Sequence, residues 1–355
     1  MEILLTSTFI LSLLFVSLLL KYSEKLGLQD IPNARSAHKS IIPRSAGLGL
    51  TSAVLLSMLI FNFEHMIEYG YIYLSILAIM LVGLYDDKFE ISYRLKFVAL
   101  LFIGAYIAYN GLLINSLGTY FGYVLDIPIW IAAPFTLFAI IGFTNALNLM
   151  DGFDGLAGGL SSIMMLTFFM IGYVHDDSLI MTLSSTFIVA IVAFLFFNWH
   201  PAKIFMGDSG SLTLGFVISI LSILSLEYMT PTAVLFVVAL PLMDTFIVMK
   251  RRIQRGQSPF KADKNHIHHF MYKTKANVKF SVKLLLYIQM AFSIMGYQMR
   301  AENEILSLTL FGLLMYIFLN IFDQRFKYRA PKKKKRLKFI KKSDLMKKTT
   351  LNRNS

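Results

Sequence analysis

Residues 127–144 read IPIWIAAPFTLFAIIGFT, a run of eighteen residues without a charged side chain. A run of about this length and composition is what a helix needs to cross the hydrocarbon core of a bilayer. Membrane-crossing strands instead alternate apolar and polar residues, and this run does not alternate. It therefore predicts a membrane-spanning helix.

Ten further apolar runs have the same character. They lie at 3–20, 47–63, 70–85, 96–114, 159–174, 179–197, 210–226, 231–249, 281–299 and 305–322. The chain is 56% hydrophobic and 15% charged, whereas soluble chains are about 25% charged. Because only helices and closed barrels span lipid, we predict an all-α polytopic membrane protein with about eleven transmembrane helices.

The positive charges predict the orientation of these spans. The first span has no basic start and is followed by Lys21 and Lys25, so it is interpreted as a retained anchor with its N-terminus outside rather than as a signal peptide. Basic residues of short loops stay on the cytoplasmic side. With this orientation, 33 of the 34 Lys and Arg fall in inside segments and only Arg300 falls outside. The C-terminus is then inside.

The distribution of charge also limits the classes of function. The net charge is +13, and much of it lies in a predicted basic cytoplasmic tail, 323–355, that follows the integral membrane domain, 1–322. Such a tail is a topology signal and is attracted to anionic membrane lipid. It lacks the interleaved aromatics of a nucleic-acid-binding module, so nucleic acid is not a predicted partner. The absence of cysteine excludes disulfides, Cys-ligated metals and thiol nucleophiles.

Four polar segments fall on the predicted inside face. The first contains Asp86 and Asp87 at the end of an apolar run, where paired carboxylates are costly unless they are solvated, paired or bound to a cation. Their mutual repulsion raises one pKa and favours proton transfer or cation binding. A solvated helix end is the simpler alternative for this pair alone.

The second segment follows residues 127–144 directly. Asn145, Asn148 and Asp151 recur every three residues, which places them along one drifting stripe of a helix. Asp154 follows among glycines, which permit a sharp turn and close approach of the backbone to a ligand. A purely structural turn does not need two amides and two acids here, so we interpret the segment as functional.

The third segment spans 197–210 and contains Asn198, Phe205 and Asp208. Carboxylate and amide oxygens suit Mg²⁺, which keeps several waters and binds phosphates with few protein carboxylates. The sequence Gly-Asp-Ser-Gly at 207–210 also precedes a predicted span, and a helix N-terminus there favours phosphate. The same residues are equally typical of a capped helix start.

The fourth segment is a long loop that contains Arg252, His266, His268 and His269. The pattern His-x-His-His could bind Zn²⁺, but the other candidate ligands in the chain are hard oxygen groups. His beside Arg and Lys also suits contacts to a pyrophosphate or acid–base catalysis. A solvated basic loop is the alternative without a function.

Together and in this order, the four segments closely resemble the polyprenyl-phosphate N-acetylhexosamine-1-phosphate transferases. This superfamily includes the enzymes that initiate O-antigen, enterobacterial common antigen and teichoic acid, and the lipid I synthase of peptidoglycan. The resemblance covers about residues 28–270. The segment from Asp30 to Arg44 and the His-Ile-His-His form resemble the branch outside peptidoglycan synthesis. One departure is Ala46-Gly47-Leu48-Gly49, where many relatives have paired glycines.

The resemblance implies a Mg²⁺-dependent reaction, with Mn²⁺ as a substitute. A lipid phosphate attacks the β-phosphorus of a UDP-sugar, and UMP leaves. By analogy, Asp208 and Asn148 hold the metal. Asp86 and Asp87 lie near the reacting phosphates, where one of them deprotonates the lipid phosphate, and Asp151 supports the reacting centre.

The resemblance also implies the partners and their contacts. The expected substrates are a UDP-sugar and undecaprenyl phosphate, which meet at the cytoplasmic face of a bacterial inner membrane. Phe205 and Asp154 are candidates for holding uracil, and Asn198 with His268 or His269 for contacting the sugar nucleotide. The remaining candidates for substrate binding are Asn145, Arg252 and His266. Dimers occur in the superfamily, so a homodimer is a further candidate.

Three alternatives remain open from the sequence. The nearest is the same chemistry on another donor, such as UDP-GalNAc, a deoxy amino sugar or UDP-MurNAc-pentapeptide; UDP-GlcNAc is the preferred donor. A transporter of anionic solutes would place charges and helix breaks inside the spans, whereas here the acid clusters lie in inside-facing segments. A scaffold protein would not need the spaced Asn and Asp residues.

Overall fold

A computed structural model describes residues 1–30, 41–254, 256–258, 266–267 and 277–327, with side chains up to 321. The α-helices in this part of the chain are α1 (Glu2–Leu26), α2 (Ala46–Phe61), α3 (Phe63–Glu68), α4 (Gly70–Phe89), α5 (Tyr93–Tyr109), α6 (Ile129–Met150), α7 (Leu156–Val174), α8 (Ser178–Asn198), α9 (Asp208–Leu224), α10 (Pro231–Val237), α11 (Ala239–Gln254), α12 (Val278–Gln298) and α13 (Glu304–Lys327).

The helices confirm a polytopic membrane protein. Within the described ranges, seven helices are long and apolar enough to cross a membrane, namely α1, α6, α7, α8, α9, α12 and α13. The bent pair α10 and α11 makes eight if it counts as one span, and α2 is a shorter apolar helix. Each of the eleven apolar runs falls on one of these helices or on α4 or α5. The count of eleven spans stays a prediction.

The run 231–249 is a broken helix rather than a continuous one. It bends by 84° between α10 and α11. Pro241 lacks the N–H that would bond to the carbonyl of Val237 in a continuous helix. The side chain of Gln289 replaces that bond, since its Nε2 donates to Val237 O at 2.6 Å and its Oε1 accepts from Leu240 N at 3.3 Å. The backbone groups that the break leaves without helical partners are therefore hydrogen-bonded within the protein.

Two short antiparallel hairpins depart from the all-α prediction. Strands β1 (Gln29–Asp30) and β2 (Ile42–Pro43) pair with each other, as do β3 (Ser116–Tyr120) and β4 (Tyr123–Asp126). The turn of the second hairpin has positive φ at Phe121 and Gly122 (52° and 84°), which is typical of a tight hairpin. The strands are too short to give an alternating pattern in the sequence.

Helix α9 is the centre of the helix packing. Within an 18-residue stretch of its candidate span, Asp208–Glu227, 83% of the residues are buried, against 22% in the corresponding stretches of α1 and α13. It packs against α2, α4 and α6. A Cβ at Gly83 of α4 would lie 2.5 Å from Ser209 Cα, and one at Gly47 of α2 would lie 1.9 Å from Gly210 N. These glycines therefore let α2 and α4 touch the first turn of α9.

Candidate active site

The side chain of Asp87 caps helix α9. Its carboxylate accepts the backbone N–H groups of Asp208 at 2.7 Å and of Ser209 at 3.0 Å. The first N–H groups of a helix have no partner within the helix and carry its positive end. A buried carboxylate from α4 satisfies two of them here. The close approach at Gly83 makes this contact possible, so the end of α4 and the start of α9 form one unit.

The side chain of Asp208 is the centre of a charge cluster. It accepts from Arg44 Nη2 at 2.7 Å, from Lys96 Nζ at 2.5 Å and from Asn148 Nδ2 at 3.2 Å. Only 8% of Asp208 is exposed. Charge-assisted bonds of this kind are stronger than neutral ones, and a buried carboxylate needs such partners.

The two cations link all three carboxylates. Lys96 Nζ also pairs with Asp86 Oδ2, and Arg44 Nε lies 3.1 Å from Asp87 Oδ1. Burial alone lowers the pKa of Arg44, but the carboxylates of Asp208 and Asp87 raise it well above its usual range. Three acids and two cations therefore share one half-enclosed site at the end of the bundle.

Sequence reasoning gave no role to Arg44 or Lys96. Arg44 is held by backbone bonds between the β2 segment and the loop before α9, since Phe205 N donates to Pro43 O and Ala46 N to Phe205 O. Lys96 lies in the first turns of α5, where the Ser92 side chain accepts from Leu95 N. The sequence offered one signal for Lys96, because a charged residue at the edge of an apolar run often has a function.

Asn148 joins the cluster, and Asn145 bonds elsewhere. Besides Asp208, the Nδ2 of Asn148 donates to Ser211 Oγ at 2.8 Å, so it connects α6 to α9. The Nδ2 of Asn145 donates to Ile141 O within its own helix. Of the two amides on the predicted stripe, that of Asn148 contacts the carboxylate cluster and that of Asn145 does not.

Asp151 lies in the loop that follows α6. Burial raises the pKa of its carboxyl to about 7. The charge of Arg44 acts in the opposite direction, whereas the carboxylates of Asp208 and Asp87 raise the pKa further. A group with this pKa exchanges a proton readily near neutral pH, as acid–base catalysis requires.

Asp154 and Asn198 connect the loop before α7 to the loop after α8. Asp154 Oδ2 lies 2.6 Å from His200 Nδ1 and accepts from Ala202 N at 3.0 Å. Asn198 accepts from Gly155 N and donates to Ile204 O, both at 2.8 Å. These bonds order the loop that leads to Phe205. The contacts of these residues with the substrate stay predictions.

The basic loop is described only in part. Arg252 and His266 are buried, at 6% and 3% exposure, and His266 pairs with Asp244. His268 and His269 lie outside the described residues. Their predicted contacts with the sugar nucleotide therefore stay predictions.

The donor set fits a hard divalent cation. Among the described residues, no group of three or more His, Asp and Glu forms a ready-made metal cage. Mg²⁺ does not need one, because it binds through one or two carboxylates together with waters and phosphate oxygens. The carboxylates of Asp86 and Asp208 already converge on the ammonium of Lys96. Asn148 lies beside them, and a flip of its amide would turn an oxygen toward Asp208.

The fold and the site together define a polytopic membrane protein. At one end of its helices lies a cluster of buried carboxylates whose charge is balanced by two cationic side chains. Comparison with known proteins agrees with this class. Residues 69–226 match the profile of Glycosyl transferase family 4.

Curated relatives match over most of the chain. A probable undecaprenyl-phosphate N-acetylglucosaminyl 1-phosphate transferase of Bacillus subtilis is 35% identical over 88% of this chain and 89% of its own length. The undecaprenyl-phosphate alpha-N-acetylglucosaminyl 1-phosphate transferases of Escherichia coli K12 and Salmonella typhimurium are 31% and 32% identical over 76% of each chain. The chain belongs to this family of undecaprenyl-phosphate sugar-1-phosphate transferases and is an enzyme of that family.

Proposed function

We propose that this enzyme transfers N-acetylglucosamine-1-phosphate from UDP-GlcNAc to undecaprenyl phosphate and releases UMP. The product would begin a cell-surface polysaccharide of the O-antigen, common-antigen or teichoic-acid type. The observation that carries the proposal is the cluster of Asp86, Asp87 and Asp208 with Arg44 and Lys96. Its chemistry suits phosphate groups, and the names of the relatives supply the substrates.

The reaction exchanges one phosphorus–oxygen bond for another. An oxygen of the lipid phosphate bonds to the β-phosphorus, and the bond from that phosphorus to the bridging oxygen breaks, so that UMP leaves with the oxygen. Such transfer depends on positioning and neutralisation of charge more than on covalent work by the protein. Lys96 and Arg44 supply fixed positive charge. Asp86 or Asp87 takes the proton of the lipid phosphate, and Asp151 supports the reacting centre.

Asp208 and Asn148 are the residues that we propose hold Mg²⁺, or Mn²⁺ in its place. The bound cation would neutralise phosphate charge that builds up during transfer. The contacts of Asp208 support this proposal, because its buried carboxylate already attracts two cationic side chains and lies beside the amide of Asn148.

The sugar nucleotide would lie beside the loops that Asp154 and Asn198 order. Phe205 and Asp154 are proposed to hold uracil by stacking and hydrogen bonding. The proposed contacts to sugar and pyrophosphate come from Asn145, Asn198, Arg252, His266, His268 and His269. The bonds between Asp154 and the 200–202 loop support a pre-ordered site, which lowers the entropy lost on binding.

The proposed orientation puts this site at the cytoplasmic side of the bacterial inner membrane. Eleven spans with the N-terminus outside would place Asp86, Asp151 and Asp208 together on the inner face. There a soluble nucleotide sugar and a lipid headgroup can meet. Residues 1–322 would form the membrane transferase domain and 323–355 the basic cytoplasmic tail.

The test is a transfer assay with purified protein in detergent. It combines undecaprenyl phosphate, Mg²⁺ and a panel of labelled UDP-sugars, with EDTA as a control. We expect labelled lipid and released UMP with UDP-GlcNAc, and neither in EDTA. Product from UDP-GalNAc or UDP-MurNAc-pentapeptide alone would reassign the donor. No product with any donor, from folded protein, would overturn the proposed reaction and favour transport.

A further inference from the structure

An ionisable residue lies within the apolar run 231–249. Asp244 of helix α11 is 0% exposed. Acidic residues within membrane segments are rare, and they usually mark functional sites because burying their charge is costly. No role in the reaction proposed above depends on Asp244.

Both oxygens of Asp244 are used to hold a distant part of the chain. Its Oδ2 lies 2.6 Å from Nδ1 of His266, and its Oδ1 accepts from the backbone N–H of Ile267 at 2.7 Å. His266 is 3% exposed and Ile267 is 0% exposed. The carboxylate therefore fixes both the ring of His266 and the peptide that follows it.

The break between α10 and α11 determines where Asp244 lies. Pro241 and Gln289 end the helix at Val237 and restart it in a new direction. Helix α11 then packs against α6, which carries Asn148 near its end. Asp244 thus belongs to a helix that contacts the scaffold of the carboxylate cluster.

We propose that Asp244 is a positioning residue that orients His266 for binding the diphosphate of the nucleotide sugar. The proposal rests on the function proposed above. A histidine that donates its Nδ1–H to a carboxylate has a fixed ring orientation, with Nε2 turned away from the carboxylate. When the ring also carries a proton on Nε2, that N–H can donate to a phosphate oxygen. The bond to Ile267 N sets the backbone on which the ring is carried. Loss of Asp244 would therefore release His266 without touching the carboxylate cluster.

The experiment measures binding of UDP-GlcNAc by calorimetry in detergent, with Mg²⁺ and without the lipid acceptor. The proteins are wild type, Asp244→Asn, His266→Gln and the double variant. We expect each single variant to weaken binding roughly tenfold, by analogy with metal-bound histidines, whose outer partners contribute about 10–100-fold to metal affinity. The double variant should be within about twofold of the single ones, because both changes break one link.

A matched control removes another buried carboxylate. Glu304 is 3% exposed, and its Oε2 accepts from Thr232 at 2.5 Å, at the start of α13. We expect Glu304→Gln to bind UDP-GlcNAc like wild type. In transfer assays, Asp244→Asn should raise the KM for UDP-GlcNAc and leave the KM for undecaprenyl phosphate unchanged, whereas a general loosening of the fold would change both.

The outcomes separate this inference from the proposed function. If wild type binds UDP-GlcNAc and Asp244→Asn binds it equally well, the positioning role is wrong and the proposed function stands. If Asp244→Asn does not fold, His266→Gln decides, because wild-type affinity in that variant overturns the role. Additive losses in the double variant also overturn it. A wild-type protein that binds no UDP-sugar would overturn the proposed function and this inference with it.

Discussion

The carboxylate of Asp87 accepts the first backbone N–H groups of the helix that begins at Asp208. One acid thereby fixes the position of another through the backbone rather than through a shared ligand. Loss of a helix cap usually costs about 1 kcal/mol of stability. We expect Asp87→Ala to lower the thermal stability modestly and the transfer rate severely, because the Asp208 carboxylate loses its fixed position.

The control for this prediction is a cap at the other end of the bundle. Asp177 caps α8 by accepting from Ile180 N at 2.8 Å. Asp177→Ala should lose similar stability in a thermal unfolding scan and keep its transfer activity. Equal losses of activity in the two variants would contradict a specific role of Asp87.

Asp208→Asn is expected to abolish transfer, by at least about a hundredfold, while the protein still inserts and folds. The amide cannot supply the charge that a hard cation needs, and it leaves Arg44 and Lys96 with one carboxylate fewer. The measurement is transfer with Mg²⁺ alongside size-exclusion chromatography. The exposed acid Asp176 provides the control through Asp176→Asn. Near-normal turnover of the Asp208 variant would refute the proposed metal role.

Gly83→Ala is expected to separate α4 from α9. A Cβ there would meet backbone atoms of Asp208 and Ser209 at 2.5 Å, and backbone cannot move as a side chain can. Overpacking of this kind costs roughly 1–3 kcal/mol, so unfolding temperature and transfer rate should both fall. Gly142→Ala is the matched control, because nothing lies within 4 Å of a Cβ at that position of α6. If the Gly83→Ala variant is active and stable, the contact between α4 and α9 accommodates a methyl group and this prediction is wrong.

The stability effect of Asp151 should depend on pH. Its pKa is about 7 in the folded protein, against an ordinary value of 3.8, so the folded state binds the proton more tightly than the unfolded state. Stability from this group is then full below about pH 4 and is lost as pH rises toward 7. Asp151→Asn cannot ionise. We expect the unfolding temperature of the variant, relative to wild type, to be higher at pH 8 than at pH 5 in EDTA. A difference that does not change with pH would contradict the raised pKa.

Removal of residues 332–355 should leave transfer unchanged, because the polar segments that resemble the family end before residue 270 and the tail is mostly basic and contains none of them. The measurement is the specific activity of correctly inserted, truncated protein. Complete loss of activity in such protein would show that the tail contributes to the reaction.

Sequence reasoning predicted the helical membrane fold and three of the acids in the cluster. Long apolar runs and acids at their ends are local signals, so Asp86, Asp87 and Asp208 could be found without coordinates. The partners of these acids could not. Arg44 reaches the cluster through pairing of the β2 segment with the loop at Phe205, which is a long-range contact.

The broken helix was missed for a related reason. Pro241 signals a weak point in a helix, but the apolar run continues through it. The break is stable because Gln289, about fifty residues later, supplies both replacement hydrogen bonds. Asn198 and Asp154 show the same limit, since residue type predicts polarity and only the fold shows that their bonds connect two loops.

The burial of α9 affects how the enzyme responds to membranes of different thickness. Helices α1 and α13, at the rim, have few buried residues, whereas most residues of α9 are buried by other helices. A change in bilayer thickness is met by tilting of helices that contact lipid, at a cost of a fraction of a kcal/mol per Å. Helices α1 and α13 can tilt in this way while α9, with Asp208 at its start, stays in position. The enzyme should therefore work at similar rates in short-chain and long-chain lipid.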